Sequence, residues 1–243
     1  MDRREFLERF VLVHKCAGCR EILPYERTRE ALCAECYDRW QIAKAENCSE
    51  CLRVITECTC APKGLRGVYS LRKLMFYHPK KRREPQNQLI YFLKGNANAR
   101  VSSFVARELL RALNQEIEAS GFAQQREKLV IVCVPRGRRS KTRYGHDQSE
   151  LICRALSELS QIPYCDLLKR RRRREKTQKK MTAKKRFDNV KCSFALKEGT
   201  ELSGKCVVLF DDIVTTGASM AGCVKLLRDA GAKEILAFCI AQD

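Results

Sequence analysis

The chain has 243 residues, of which 44% are hydrophobic, so it can build a core of ordinary size and is not globally disordered. Its formal net charge is +19. Because residues 1–63 hold equal numbers of acidic and basic side chains, the whole excess lies in residues 64–243. An excess of this sign favours polyanionic partners, namely nucleic acid or phosphorylated small molecules.

The distribution of apolar residues disfavours both membrane insertion and secretion. The longest apolar run, at residues 235–241, is far shorter than a membrane span. Residues 1–13 mix charges among their apolar side chains, unlike a signal peptide. We therefore expect a cytoplasmic protein without membrane insertion.

Eight of the fifteen cysteines lie within residues 16–60. In a cytoplasmic protein such a cluster favours metal ligands over disulfides. The first set consists of two close pairs separated by thirteen residues, a spacing typical of a four-thiolate zinc site. The second set is a weaker match, because a single residue separates the cysteines of its last pair. The two sets are Cys16, Cys19, Cys33 and Cys36, and Cys48, Cys51, Cys58 and Cys60.

The spacing leaves open whether one or two zinc ions are bound and whether the pairs of the two sets interleave. Reduced thiols without metal are the alternative, but a segment this small and this poor in apolar residues needs a metal to fold. Closed four-cysteine sites are structural, so we assign the zinc no catalytic role. We expect residues 1–63 to form a zinc ribbon module and residues 64–243 to form a second domain. Residues 62–64 have the composition of a turn or linker between the two.

The second domain shows alternating strand and helix patterns. Apolar runs predict strands at 68–71, 75–77, 129–134, 206–210 and 235–240. Helical spacing predicts helices at 101–118, 149–159 and 218–230, the last one closed by Gly231. Strands that alternate with helices indicate an α/β fold with a mainly parallel sheet flanked by helices.

Residues 169–186 break this pattern, because they contain twelve basic residues and one acidic residue. They are too charged for a core, which leaves a solvated loop, a mobile arm, or a strand pair exposed over a binding site. Few aromatic residues lie near them, so we expect contacts with DNA that are mostly electrostatic and weakly sequence-specific. The candidate DNA-binding residues are Lys169, Arg170, Arg171, Arg172, Arg173, Arg174, Lys179 and Lys180.

The most informative stretch follows the strand at 206–210. Two carboxylates, Asp211 and Asp212, come at its end, and a short loop of small and hydroxyl residues leads into the next helix. A loop of this kind at a helix N-terminus offers amide and hydroxyl donors to a phosphate group. Carboxylates beside a phosphate would repel it unless they bind sugar hydroxyls or a divalent cation. The loop residues are Thr215, Thr216, Gly217, Ala218 and Ser219.

Residues 207–219 resemble the phosphoribosyl pyrophosphate (PRPP) motif of the type I phosphoribosyltransferases. The resemblance implies that Asp211 and Asp212 are the catalytic carboxylates and hold the ribose hydroxyls. It also implies that residues 215–219 cradle the 5′-phosphate, and that Mg²⁺ is bound together with PRPP.

Three further stretches, together with the cysteine pairs, resemble the ComF family of proteins with a double zinc ribbon and a phosphoribosyltransferase-like fold. They are residues 91–96, 132–148 and 186–190, and the resemblance extends from about residue 16 to the end of the chain. It implies that Arg136, Arg143 and Gln148 face the pyrophosphate end of PRPP. His146 and Asp147 depart from the family's Phe and Asn, which leaves the contacts of this loop open.

Two functions follow from the resemblance. The first is a PRPP-binding protein of natural transformation that handles imported single-stranded DNA, with a helicase-like competence ATPase as a partner. The alternative is an active phosphoribosyltransferase that transfers the phosphoribosyl group from PRPP to an acceptor, although no residue set identifies an acceptor pocket. The two functions are compatible in one protein. PRPP binding would then gate DNA binding, since both ligands are polyanions that can compete for one basic surface.

Overall fold

Helices and strands alternate through the second part of the chain, as the sequence predicts. The computed structural model describes residues 13–65, 67–80, 83–136, 145–171 and 193–243. Its helices are α1 (Ala34–Lys44), α2 (Pro85–Gly95), α3 (Ala99–Ala119), α4 (Gln148–Ser160) and α5 (Ala218–Asp229), with short 3-10 helices at Tyr25–Arg27 and Phe122–Lys128. Its strands are β1 (Ser70–Phe76), β2 (Leu129–Cys133), β3 (Leu168–Arg170), β4 (Phe194–Leu196), β5 (Cys206–Val214) and β6 (Glu234–Gln242).

Four parallel strands form the central sheet, in the order β1-β6-β5-β2. Alternate residues of β5 point to opposite faces, so Val208 and Phe210 join one core while Val207 and Leu209 join the other. Helices α2, α3 and α4 cover the first face, and α5 covers the second. The all-parallel sheet with both faces buried confirms the predicted α/β architecture.

Two predicted boundaries were wrong. The strands expected at 68–71 and 75–77 are one continuous strand, because β1 pairs with β6 from Ser70 to Phe76 even though it carries the charged residues Arg72 and Lys73. The strand expected to end at residue 210 continues to Val214, because its pairing with β6 runs on past the two aspartates.

The cysteine-rich segment is docked on α3 through an aromatic contact. The Trp40 side chain is fully buried, lies edge-on to Phe104 at 5.3 Å between ring centroids, and donates from Nε1 to the Glu108 carboxylate at 3.2 Å. Lys44 forms an ion pair with the same carboxylate. Residues of the segment share one apolar core with α3, and the turn at residues 62–64 leads into the sheet. The division into modules 1–63 and 64–243 stays a prediction.

The basic segment begins on a small antiparallel ribbon formed by β3 and β4. Leu168 and Phe194 anchor this ribbon in the core on the α5 face. Lys169, Arg170 and Arg171 are exposed. Within the described ranges, no helix has both the length and the apolar character to cross a membrane.

Candidate functional site

Asp211 and Asp212 lie in the last third of β5, and the backbone fixes both carboxylates. The amide of Asp212 donates to Asp211 Oδ1 and the amide of Ile213 donates to Asp212 Oδ1, each at 2.9 Å. Both aspartates are partly buried. The pair therefore stands in a defined orientation at the carboxyl end of the sheet, where α/β proteins bind ligands.

Asp212 is contacted by two of the residues that the sequence predicted on the pyrophosphate side. The guanidinium of Arg136 lies 3.3 Å from Asp212 Oδ2, with only 15% and 14% of the two side chains exposed. Gln148 Nε2 donates to the same oxygen. The third predicted residue, Arg143, lies outside the described residues.

Arg136 and Gln148 both have polar atoms that remain available to a ligand. Among the described residues, Arg136 Nη1 and Gln148 Oε1 are buried without a hydrogen-bond partner. Buried polar atoms are normally paired, so their grouping beside two carboxylates marks a place for a polar ligand.

The Asp211 carboxyl has a pKa well above its usual range. Burial is the main cause, and the charge of Asp212 acts in the same direction. Two carboxylates in a partly dry position repel each other, and a cation or hydroxyl donors would relieve the repulsion. The pair is therefore suited to bind sugar hydroxyls or Mg²⁺.

The loop after β5 has the geometry of an anion-binding turn. Thr215 and Thr216 are exposed, and Gly217 has φ of +74°, a conformation that favours glycine. A Cβ atom at Gly217 would lie 3.0 Å from Leu65 Cβ, so close packing also requires glycine here. The amides of Ser219 and Met220 lie in the first turn of α5, where no helical carbonyl can accept from them.

Asp147, which the sequence analysis treated only as a departure from the family pattern, organises the loop before α4. It is 5% exposed, and its two oxygens accept from the amides of Arg136 at 3.2 Å and Ser149 at 3.1 Å. An aspartate just before a predicted helix is a typical N-cap, so this role was readable from the sequence. Its neighbour His146 lies 3.1 Å from the carbonyl oxygen of Leu93 in α2.

We expect Asp147→Ala to lower the free energy of unfolding by about 1–2 kcal/mol, since it removes a helix cap and the acceptor that holds Arg136. Chemical denaturation measures the change. Asp166→Ala is the control, because its ion pair with Lys197 is about half exposed and is worth at most about 1 kcal/mol. Equal losses in the two variants would contradict the positioning role of Asp147.

The first cysteine set forms a cluster with the dimensions of a tetrahedral metal site. The four Sγ atoms of Cys16, Cys19, Cys33 and Cys36 lie within 4.8 Å of one another. The Cys19 and Cys33 Sγ atoms are 3.8 Å apart. A tetrahedron with metal–sulfur bonds of about 2.3 Å has edges of about 3.8 Å.

Backbone amides complete the first cluster. Cys16 Sγ accepts from the amides of Gly18 at 3.3 Å and Cys33 at 3.2 Å. A Cβ atom on Gly18 would lie 2.6 Å from Cys36 Sγ, so the turn between the first two cysteines requires glycine. These donors favour thiolate ligands, and the residues fit a metal ion.

The second set converges in the same way despite its shorter last gap. The Sγ atoms of Cys48, Cys51, Cys58 and Cys60 also lie within 4.8 Å of one another. Cys48 and Cys58 form a small core with Ile55, and the partly buried Cys51 and Cys60 pack against it. The two sets are therefore separate and do not interleave, which settles a question that spacing left open.

Only part of the predicted DNA-binding set falls in the described structure. Lys169, Arg170 and Arg171 project from β3 and the residue after it, with the Arg170 guanidinium 5.2 Å from the Phe194 ring centroid. The other candidates, Arg172, Arg173, Arg174, Lys179 and Lys180, lie outside the described residues.

Comparison with known proteins agrees with this architecture. Residues 103–243, more than half of the chain, match the family model of the phosphoribosyl transferase domain. The DNA utilization protein YhgH of Escherichia coli is 31% identical over 156 residues, which cover 64% of this chain and 66% of that protein. Competence protein F of Haemophilus influenzae is 27% identical, with coverage of 93% and 90%. Competence protein ComFC of Streptococcus pneumoniae is 25% identical, with coverage of 86% of each chain.

The match to YhgH thus spans slightly less than two thirds of that protein's length, whereas the match to competence protein F is nearly complete. The chain belongs to the phosphoribosyl transferase domain family. It is also similar over most of its length to competence protein F and to competence protein ComFC.

Proposed function

We propose that this protein binds PRPP together with Mg²⁺ at the end of β5. The observation that carries the proposal is the fixed pair of Asp211 and Asp212, followed directly by the glycine turn at the N-terminus of α5. The carboxylates would hold the ribose hydroxyls, and the loop amides would hold the 5′-phosphate. Arg136 would donate from its unpaired Nη1 to the pyrophosphate, and the unpaired Oε1 of Gln148, which can only accept, would face a ligand hydroxyl or Mg²⁺.

The two cysteine clusters, in this proposal, each hold a structural Zn²⁺. Four thiolates in a closed tetrahedral arrangement are typical of structural zinc sites and leave no position for a substrate. Zinc would stabilise the fold of the N-terminal segment, and it would take no part in chemistry at the PRPP site.

The biological role that we propose is the handling of imported single-stranded DNA in natural transformation, in the cytoplasm and with a helicase-like competence ATPase as partner. Relatives with the names competence protein F, ComFC and DNA utilization protein support it. The basic excess confined to residues 64–243 supports contact with a polyanion.

Salt dependence of binding tests the contact with DNA. We expect the triple variant Lys169→Gln/Arg170→Gln/Arg171→Gln to reduce the slope of log affinity against log salt by about 2, since each phosphate contact on single-stranded DNA contributes about 0.7. Fluorescence anisotropy with a labelled oligonucleotide measures the slope.

The matched control removes three exposed charges from the neutral N-terminal segment, in Arg29→Gln/Arg53→Gln/Lys63→Gln. We expect this variant to keep the wild-type slope. A wild-type slope near zero would overturn the proposed DNA contact, and equal losses in the two triple variants would show that the ribbon has no special part in it.

Phosphoribosyl transfer is the second candidate, favoured by the free polar atoms of Arg136 and Gln148 beside the carboxylates. An acceptor would displace pyrophosphate from C1 of the ribose, and the guanidinium of Arg136 would stabilise the charge on the leaving group. Pyrophosphate release, assayed across nucleobases, amines and ammonia, tests this candidate. Bound PRPP without release in any assay would leave a binding protein.

A further inference from the structure

Lys73 occupies an unusual position for a charged side chain. It lies in the middle of β1 and is 1% exposed. Its Nζ donates to the carbonyl oxygen of Cys60, a member of the second cysteine cluster. Among the described residues it has no carboxylate within ion-pair distance. A buried ammonium group is costly unless a negative charge lies nearby.

The neighbouring residue shows the usual solution. Arg72 forms an ion pair with the buried Glu116 carboxylate of α3. Its Nη1 also donates to the carbonyl oxygen of Glu57 at 2.9 Å, so Arg72 binds the same loop that carries Cys58 and Cys60. Arg72 thus has a carboxylate for its charge, whereas Lys73 has only a neutral carbonyl.

Arg100 shows the same pattern at the first cysteine cluster. Its Nη2 donates at 2.9 Å to the carbonyl oxygen of Lys15, the residue directly before Cys16. Its Nε and Nη1 are buried without a hydrogen-bond partner in the described structure. No carboxylate there lies in ion-pair range of Arg100 either.

We infer that Lys73 and Arg100 are the counterions of two anionic metal–thiolate centres, one for each cysteine cluster. The inference rests on the proposed function, in which each cluster holds a divalent metal. A divalent cation with four thiolates carries two net negative charges, which would supply the negative charge that the buried Lys73 and the partly buried Arg100 do not find in a carboxylate. Each cation lies on an element outside the cysteine-rich segment, Lys73 on β1 and Arg100 on α3.

Lys73 and Arg100 are therefore positioning residues, which act on the metal through charge and through the carbonyl that each one holds. Outer partners of this kind commonly change metal affinity by about 10- to 100-fold. The arrangement also links metal retention to the folded sheet, because the ammonium of Lys73 reaches Cys60 only when β1 is paired.

Metal release from the full chain to a chromogenic chelator tests the inference. We expect Lys73→Met to speed the loss of one of the two metals by about 10- to 100-fold and Arg100→Met to speed the loss of the other. Lys128→Met, which removes an exposed lysine, is the control and keeps wild-type release. A Cys51→Ser background assigns the sites, since Lys73→Met then has no second metal to release.

The metal content of the wild-type protein distinguishes a failure of the proposed zinc sites from a failure of the counterion role of Lys73 and Arg100. Wild type without metal would contradict the proposed zinc sites themselves. Wild type with two metals, together with Lys73→Met and Arg100→Met that release them at the control rate, would overturn the counterion role alone.

If Lys73→Met does not fold, the variant Lys73→Arg tests whether the positive charge at this position retains the second metal. It keeps the charge, so we expect it to fold and to retain the second metal at close to the wild-type rate. Metal loss or misfolding of Lys73→Arg to the same degree as Lys73→Met would show that charge is not the cause, and would overturn the inference for this cluster. Arg100→Met remains an independent test at the first cluster.

Discussion

We expect the double variant Asp211→Asn/Asp212→Asn to lose its response to PRPP. Two charged acceptors for ribose hydroxyls are each worth about 1.5–3 kcal/mol, so their loss weakens PRPP binding by about 100-fold or more. Wild-type protein at a PRPP concentration of about 100 times its Kd gains about 2.7 kcal/mol, or roughly 5–10 °C in Tm. The variant gains close to nothing under the same conditions.

The single variant Asp211→Asn keeps the ion pair between Asp212 and Arg136, and we expect it to be more stable than wild type without ligand because the pKa of Asp211 is raised. Burial and the Asp212 charge make the folded protein hold the Asp211 proton more tightly than the unfolded chain does. Ionisation of Asp211 therefore costs folding free energy as the pH rises through the folded pKa, and asparagine removes that cost. The advantage of the variant over wild type should shrink as the pH is lowered.

Differential scanning fluorimetry with PRPP and Mg²⁺ measures both effects. Asp166→Asn/Asp229→Asn makes the same change of charge at two aspartates that are about half exposed, and it should keep the wild-type shift with PRPP. A variant at Asp211 and Asp212 that still melts higher with PRPP would show that the ligand binds elsewhere.

We expect loss of the first cysteine cluster to damage the protein more than loss of the second. Cys36 is 2% exposed and belongs to the main core that also contains Trp40, so Cys36→Ser removes a ligand of the proposed zinc that would support the docking of the whole segment. The binding free energy of a structural zinc ion is comparable to the whole free energy of unfolding of a domain. Cys36→Ser should lower Tm by about 10 °C or more, corresponding to several kcal/mol.

Cys51→Ser should lower Tm less, because the second cluster lies in a separate small core around Ile55. Cys165→Ser, at a partly buried cysteine outside both clusters, is the control and should retain two metals. Equal losses of Tm in Cys36→Ser and Cys51→Ser would contradict the unequal coupling of the two clusters to the core.

Much of this arrangement could be read from the sequence where one physical signal dominates. The apolar run of β5 predicted a strand buried on both faces, and its pairing with two neighbours confirms it. The paired cysteines predicted two sets of metal ligands, and both sets converge. The loop before α5 was predicted from its small and hydroxyl residues, and Gly217 within it adopts a positive φ that favours glycine.

Other features escaped prediction because they depend on tertiary contacts. The charges of Arg72 and Lys73 broke the apolar pattern of β1, and only the cysteine-rich loop that covers them explains why they are tolerated there. The extension of β5 to Val214 depends on β6, which is distant in the sequence. The position of Asp147 just before α4 is typical of a helix cap and could have been predicted from the sequence. Its contact with the Arg136 amide could not, because that contact forms only in the folded loop.

A calorimetric titration of the wild-type protein with PRPP in the presence of Mg²⁺ tests directly whether PRPP binds at Asp211 and Asp212. We expect saturable binding of one PRPP per chain, competition by ribose 5-phosphate with lower affinity, and no detectable binding to Asp211→Asn/Asp212→Asn. Absence of binding to the metal-loaded wild-type protein, or binding that the double variant retains, would contradict the assignment of Asp211, Asp212 and the Gly217 loop as a PRPP site.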